Sequence, residues 1–142
     1  MTIQLERAKV PQAKAILMFQ EAAASRTYHP MNLLAIEAAI RDDETYLVLQ
    51  EDQMVLGFLI YKIEEDHVLL DEFVIGEQYR GRGFGAMALE AMLVQVSGKR
   101  VELVTHPENP AVHLYARNGF RWVENLTNFY GDGESRMRMV RT

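Results

Sequence analysis

The sequence predicts an α+β fold with a mixed, mostly antiparallel sheet of about seven strands and four helices, in the order β α α β β β α β α β β. Three observations carry this. Residues 45–75 hold three strand-like runs, TYLVLQE, MVLGFLIYKIE and HVLLDEFVI, rich in β-branched and aromatic residues and separated only by DQ and ED. Connections that short make successive strands antiparallel neighbours. A glycine-rich stretch, QYRGRGFGA, then leads into a helix-like segment, and RVELVT follows that helix. Strand, helix and strand in that order imply one parallel pair with a right-handed crossover.

Each element has its own signal. TIQLERA alternates loosely and reads as the first strand. Val10-Pro11 opens a helix to about residue 25, since a proline in the first turn lacks an N–H that the helix does not need there. Its apolar side includes Ala13, Ile16, Leu17 and Phe19. SRTYHP breaks it, and a second short helix is expected over residues 31–40. After the three strands, a helix over residues 84–96 places Phe84, Met87, Ala88, Ala91 and Leu93 or Val94 inward. Asn109-Pro110 starts the fourth helix, with asparagine as N-cap and proline as first residue. Gly119 ends it. FRWVENLTNFY, GDG and ESRMRMV read as a closing hairpin turning at Asp132-Gly133.

Composition narrows the function. The 142 residues suit one domain over the whole chain, 1–142, and 49% hydrophobic with 25% charged residues is globular. No apolar run is long enough for a membrane span, and the N-terminal residues do not read as a signal peptide, so a cytoplasmic location and no membrane partner are expected. Cysteine is absent, which excludes disulfides, thiolate metal sites and a cysteine nucleophile. The net charge of −5 disfavours nucleic acid as a partner. The four histidines show no metal spacing, and no metal is expected. His106 ends a strand near the fourth helix and reads as a loop histidine, with the site wall as the other reading.

The glycine stretch admits several readings. Glycines at a strand-to-helix junction serve as plain turn formers. Here Gly81, Gly83 and Gly85 are interleaved with Arg80, Arg82 and Phe84, just before Ala86. Backbone without Cβ lets N–H groups approach a ligand, and a helix start adds unpaired amides and a positive dipole end. Together these favour a pyrophosphate. A Walker-type loop is excluded, because no Gly-Lys-Ser/Thr follows. Gly81, Gly83 and Ala86 also satisfy the dinucleotide fingerprint, with Glu102 near the ribose-acid spacing. Against it stand the five residues between Ile75 and Gly81, the antiparallel meander before the loop, and the 57 residues after Gly85, too few for a doubly wound sheet.

Arg80-Gly81-Arg82-Gly83-Phe84-Gly85 resembles the acyl-CoA signature R/Q-x-x-G-x-G/A of the Gcn5-related N-acetyltransferases, with Arg80, Gly83 and Gly85 in its marked places. NPAVHLYARNGF, residues 109–120, is similar to a second stretch of that family: an asparagine, a helix carrying a tyrosine, then Gly-Phe. The element order is that family's order over nearly the whole chain. The resemblance implies acetyl-CoA as cosubstrate, with its pyrophosphate on the amides of Arg80 to Ala86 and its pantetheine arm along Phe73, Val74 and Ile75. Asn109 would bond the pantetheine region, although six residues separate it from Tyr115 where the family commonly has seven. A plain N-cap is the other reading of Asn109.

The same resemblance implies acetyl transfer to a primary amine by direct attack in a ternary complex. An alkylammonium must lose its proton, and the departing thiolate gains from one. Tyr115 matches the family's acid; the other reading is core packing with Ala111 and Leu114. Asp71 and Glu72 interrupt an apolar strand, and neighbouring strand residues face opposite ways, so at most one should face the thioester. Glu72 is the preferred base, with Asp71, Glu102 and a water chain as alternatives and a plain salt bridge as the structural reading. The acceptor pocket is expected from residues 25–32 and 124–135, with Tyr28 and Tyr130 lining it. NFYGDGESRMRM is similar to the tail of the branch that acetylates protein N-termini, including ribosomal-protein alanine acetyltransferases. Phe129-Tyr130 and Gly133-Glu134 fit that pattern, while Ser135 replaces its acid. The acceptor is thus a small-molecule amine or a peptide N-terminus, and a homodimer stays open. The reading from a different class is a non-catalytic CoA-binding sensor or interaction module.

Overall fold

The computed structural model describes residues 3–24, 30–42 and 45–142. The strands are β1 (Ile3–Arg7), β2 (Tyr46–Glu51), β3 (Met54–Ile63), β4 (Val68–Ile75), β5 (Val101–Thr105), β6 (Arg121–Leu126) and β7 (Arg136–Arg141). The helices are α1 (Ala13–Ala22), α2 (Leu33–Asp42), α3 (Phe84–Gln95) and α4 (Ala111–Arg117), with short 3-10 turns at Val10–Gln12 and Glu77–Tyr79. The seven strands form one sheet in the order β1-β2-β3-β4-β5-β7-β6. Only β4 and β5 run parallel; the other pairs are antiparallel. The mixed α+β architecture and element order expected from the sequence are those observed.

Local chemistry explains several boundaries. Asp52 and Gln53 both take positive φ, 49° and 71°, which is the two-residue turn whose twist suits a hairpin. Asn32 accepts the Ala35 N–H on its side chain at 2.8 Å and so caps α2, which begins two residues later than expected. The β6–β7 hairpin differs more. Its strands end at Leu126 and resume at Arg136, because Asn128, Gly131 and Gly133 adopt φ of 51°, 76° and 79° and break the extended run. A loop of residues 127–135 replaces the tight turn at Asp132-Gly133.

Two apolar layers sandwich the sheet. Ile16, Ile36, Ile40, Val48, Phe58 and Ile60 join α1 and α2 to one face. Leu47, Leu59, Leu70, Leu89, Met92, Leu103 and Tyr115 join α3 and α4 to the other. In α3 the buried residues are Ala88, Leu89, Met92 and Leu93; Ala88 and Leu93 face inward as expected, whereas Met87 is exposed, contrary to expectation. The helix is apolar nearly all round, so its sequence does not choose a face.

Three bulges interrupt the alternation. Leu49 pairs with Gly57 and Gln50 with Val55, which leaves Leu56 extra in β3. Ile60 pairs with Glu72 and Tyr61 with Leu70, which leaves Asp71 extra in β4. In the edge strand β6, Val123 is extra, and the Trp122 indole N–H donates to the Glu124 carbonyl at 3.2 Å. Each extra residue reverses which face the following side chains meet.

α4 ends in a motif that fixes its tyrosine. Gly119 has φ 91°; its N–H donates to the Ala116 carbonyl, and the Phe120 N–H donates to the Tyr115 carbonyl at 3.1 Å. This double closure needs a left-handed residue at Gly119 and brings Phe120 back over the last turn. The Phe120 and Tyr115 rings meet edge to face, 5.7 Å between centres. Gly119→Ala should therefore cost about 1–2 kcal/mol of stability through its left-handed backbone. A Cβ there meets only the flexible Arg141 side chain, at 3.6 Å, so steric relief is easy. Urea unfolding checks this, with an unchanged midpoint as the contrary result.

Candidate active site

β4 and β5 pair at three positions only, Val68 with Val101, Leu69 with Glu102 and Leu70 with Leu103. Beyond them β4 stays with β3 as far as Ile75, and β5 stays with β7 as far as Thr105. The two strands splay, and a cleft of about 1350 Å³ opens between their C-terminal ends. One wall is Asp71 to Ile75 and the other Leu103 to His106. Tyr115 and Leu114 of α4 line it, with Gly83 to Gly85 at one end and Tyr130 to Asp132 at the other. Ligand sites outside the carboxyl ends of parallel strands follow from this kind of divergence.

The glycine loop has the geometry of an anion cradle. Gly81 and Gly83 take φ of 79° and 83°, and a Cβ at either would meet nothing within 4 Å. The backbone there is open to a ligand, and it adopts a conformation that side chains disfavour. No side chain caps α3, so its first amides face outward at the positive end of the helix. Gly85 has a different reason. A Cβ on it would sit 3.4 Å from Leu114 Cδ2, so glycine lets α3 approach α4. The Arg80 side chain turns back and donates from Nε to the Ile75 carbonyl at 3.1 Å, closing the loop onto the end of β4. Phe73, Val74, Ile75, Arg80, Gly81, Gly83, Phe84, Gly85 and Asn109 all line the cleft; Arg82 and Ala86 do not.

Tyr115 is buried, 5% exposed, and its ring also approaches that of Phe73 at 6.5 Å. Burial pushes its phenol up from its ordinary value, so it holds its proton as a potential donor. Packing and access to the cleft are therefore both true of this residue.

The bulge at Asp71 alters the expectation for the two strand acids. Both line the cleft. Asp71 is exposed and pairs with Lys62 at 3.5 Å. Glu72 is half-buried and accepts the Gln20 side-chain N–H at 3.1 Å. Glu102 is elsewhere. Arg138 and Arg100 bind its carboxylate at 2.7 and 2.8 Å, and it does not line the cleft. Burial opposes its charge, but the hydrogen bonds from Arg138 and Arg100 outweigh that and hold its carboxyl below the usual range. A carboxylate so paired is a poor base, which removes Glu102 from the candidates.

Asn109 caps α4 and pins it to β5. Its Oδ1 accepts the Ala111 N–H at 2.9 Å, and its Nδ2 donates to Thr105 Oγ1 at 2.9 Å. The N-cap reading describes these contacts, and one amide hydrogen remains for a ligand. His106 Nδ1 accepts the Glu108 N–H at 3.1 Å, while Nε2 lies 3.7 Å from Glu134, so this histidine links the cleft wall to the β6–β7 loop.

Sequence reasoning missed two residues. Arg136 is 3% exposed; it pairs with Asp132 at 2.6 Å and stacks 5.1 Å from the Tyr130 ring centre. Tyr130 is exposed, and partial burial, with Asp71 adding and Arg136 opposing, raises its phenol. Arg136 opens a strand of alternating Arg and Met, where a surface role is the natural reading. Gln20 is fully buried in α1. It stands one turn after Ile16, and a polar residue at a core position was its available signal. Tyr28 lies outside the described residues.

A model of the acetyltransferase (GNAT) family matches residues 12–120. The chain belongs to this family. The GNAT match takes in the glycine loop, β5 and all of α4, and stops before β6 and the loop that carries Tyr130. A ribosomal protein bS18 alanine N-acetyltransferase of Haemophilus influenzae is 33% identical over 92 residues, which are 61% of this chain and 63% of that protein. An N-alpha-acetyltransferase of Sulfurisphaera tokodaii is 28% identical over 117 residues, 69% of each chain. The fold matches Ard1 from Thermoplasma volcanium with a TM-score of 0.85 at 18% identity, covering 99% and 97% of the two chains. It matches Arabidopsis thaliana Naa50 in complex with the bisubstrate analogue CoA-Ac-MVNAL with a TM-score of 0.83 at 16% identity, covering 100% and 99%.

The Glu102 cluster lies outside the GNAT cleft and makes a stability prediction. Its folded-state pKa is below 4.5, so its ion pairs stabilise the protein above that pH. The contribution is lost as pH falls through the folded value. Glu102→Gln should be less stable than wild type at pH 7, with a gap that narrows below about pH 4.5. Urea midpoints measured across pH 7 to 3 check this; a gap of constant size contradicts it.

Proposed function

We propose that this protein transfers an acetyl group from acetyl-CoA to a primary amine, by direct attack with both substrates bound. The observation that carries the reading is the splayed β4–β5 cleft, which has an open glycine cradle at one end and the buried Tyr115 phenol on its wall. Acetyl-CoA is a substrate here and supplies the activated thioester. The amides around Gly81, Gly83 and Gly85 hold its pyrophosphate, and the edge of β4 from Phe73 towards Ile75, parted from β5, offers backbone groups to its pantetheine arm. The fit rests on open space above Gly81 and Gly83 and on a strand edge freed by the splay.

The chain's own groups then move two protons. Glu72, or Asp71 beside it, accepts a proton from the acceptor ammonium, directly or through water. The amine lone pair forms the new C–N bond, the C–S bond breaks, and the extra proton left on the acylated nitrogen passes through water to restore the phenol that protonates the sulfur. Tyr115 holds its proton at Oη for the leaving sulfur. A peptide N-terminus is the favoured acceptor. Two of the relatives are named as a ribosomal protein bS18 alanine N-acetyltransferase and an N-alpha-acetyltransferase, and one neighbour holds a CoA–peptide analogue. Tyr130 and the β6–β7 loop would meet that peptide.

Thiol release from acetyl-CoA tests this against the peptide Met-Val-Asn-Ala-Leu, its alanine-initiated counterpart, spermidine and an aminoglycoside. Peptide-dependent release is expected. Acetyl-CoA binding with no release for any amine would instead favour the non-catalytic module. Tyr115→Phe should lower kcat about a hundredfold or more while leaving acetyl-CoA affinity within about twofold. An unchanged kcat removes Tyr115 from the chemistry.

A further inference from the structure

Gln20 is a fully buried polar side chain in the middle of an apolar helix face. Burying a primary amide costs free energy unless both ends are bonded. Both ends are. Nε2 donates to Glu72 Oε1 at 3.1 Å, and Oε1 accepts the Met31 backbone N–H at 3.0 Å. The two partners lie far apart in the chain. Glu72 is on the cleft wall, just past the bulge, and Met31 is in the segment that leads into α2. Met31 is itself packed into the α1–α2 layer and accepts a hydrogen bond from the Tyr46 hydroxyl on its sulfur, at 3.8 Å.

We infer that Gln20 is a positioning residue, whose amide holds the Glu72 carboxylate and the backbone that enters α2 in one register. A glutamine suits this place in a way an apolar residue does not. One end can only donate and the other only accepts, so a carboxylate on one side and an N–H on the other fix its orientation. The bulge matters too. It turns Glu72 towards the α1–α2 face, where Gln20 waits, while Phe73 turns towards Tyr115. Movement of the segment ahead of α2, which borders the expected acceptor pocket, is thereby linked to one oxygen of Glu72. Among the described residues, the other charged or titratable groups lining the cleft are Asp71 with its partner Lys62, Tyr115, Tyr130, Arg136 with Asp132, His106, Glu108, Arg80 and Tyr79.

The consequence for turnover rests on Glu72 being the base, and the experiment separates the two. The first readout needs no activity. Hydrogen exchange at the Met31 amide should quicken in Gln20→Met, which keeps the volume and removes both bonds. It should also quicken in Glu72→Ala, and no further when Gln20→Met is added to Glu72→Ala, which marks the route through Gln20. A Met31 amide that is indifferent to Glu72→Ala overturns the linkage, whatever the protein catalyses. The second readout is kinetic, with the peptide acceptor above. Gln20→Met should raise the acceptor KM and lower kcat, together by about tenfold in kcat/KM, with unchanged acetyl-CoA affinity. Gln20→Glu keeps an acceptor for Met31 but sets a second carboxylate against Glu72. It should move the acid limb of the pH–rate profile upward by about one unit or more. If Gln20→Met does not fold, Gln20→Glu and Glu72→Ala carry the test. Wild-type kinetics in both glutamine variants would make Gln20 a core residue only. A wild-type acid limb in Glu72→Gln would instead overturn the base assignment and leave the amide-exchange result standing.

Discussion

β4 and β5 are held together by three residue pairs and no more. Every feature of the cleft depends on that short parallel seam. If the strands stayed paired to Ile75 and Thr105, the edge of β4 would be hydrogen-bonded and the space between them filled. The extra residue at Asp71 coincides with the parting. A bulge strengthens local twist and bends its strand, and β4 leaves β5 at that point. The same bulge reverses the facing of the residues after it, so Phe73 meets Tyr115 while Glu72 meets α1. One inserted residue thus aligns the cleft, an aromatic wall and a carboxylate.

The charged groups divide along the seam. At its closed end Glu102 is enclosed by two guanidiniums, with His67 and Asp66 nearby. Against the opposing effect of burial, the two guanidiniums hold the Glu102 carboxyl below its usual range, so it gives up its role as proton acceptor. At its open end both acids line the cleft, Asp71 beside Lys62 at 3.5 Å and Glu72 accepting the Gln20 amide N–H. A base must reach the proton it takes up. The open end lies in the cleft and Glu102 does not. Glu102 stood among the alternatives through the family resemblance; what separates it in the structure is Arg100 beside it and Arg138, which reaches it from β7.

Much of the fold was legible because its signals are local. Asp52-Gln53, Asn109-Pro110 and Gly119 each punctuate the chain through their own backbone preferences, and the element order follows. The glycine loop and the Tyr115 helix were legible as motifs for the same reason. What escaped is set by pairing across distance. No residue near Asp71 announces that Ile60 pairs with Glu72 and Tyr61 with Leu70, so the bulge beside the two cleft-lining acids could not be read from strand alternation. The roles of Gln20 and Arg136 emerge only when Glu72, Met31 and Tyr130 are brought beside them. In α3 Met87 was placed inward and Leu89 and Met92 were not, because nearly all sides of that helix are apolar. The β6–β7 loop was misread because Asn128 adopts a left-handed conformation inside a run of good strand formers.

The far edge of the sheet has its own consequence. β6 is exposed along most of its length and carries an exposed Trp122, a composition that invites another chain to add a strand and begin a fibre. The extra Val123 kinks the ladder there, and the Trp122 indole occupies the Glu124 carbonyl. An incoming strand would find an edge out of step with a regular repeat, and one acceptor already taken. The sheet therefore ends at β6 by geometry, and the tryptophan that looks like an invitation to aggregate helps to blunt the edge.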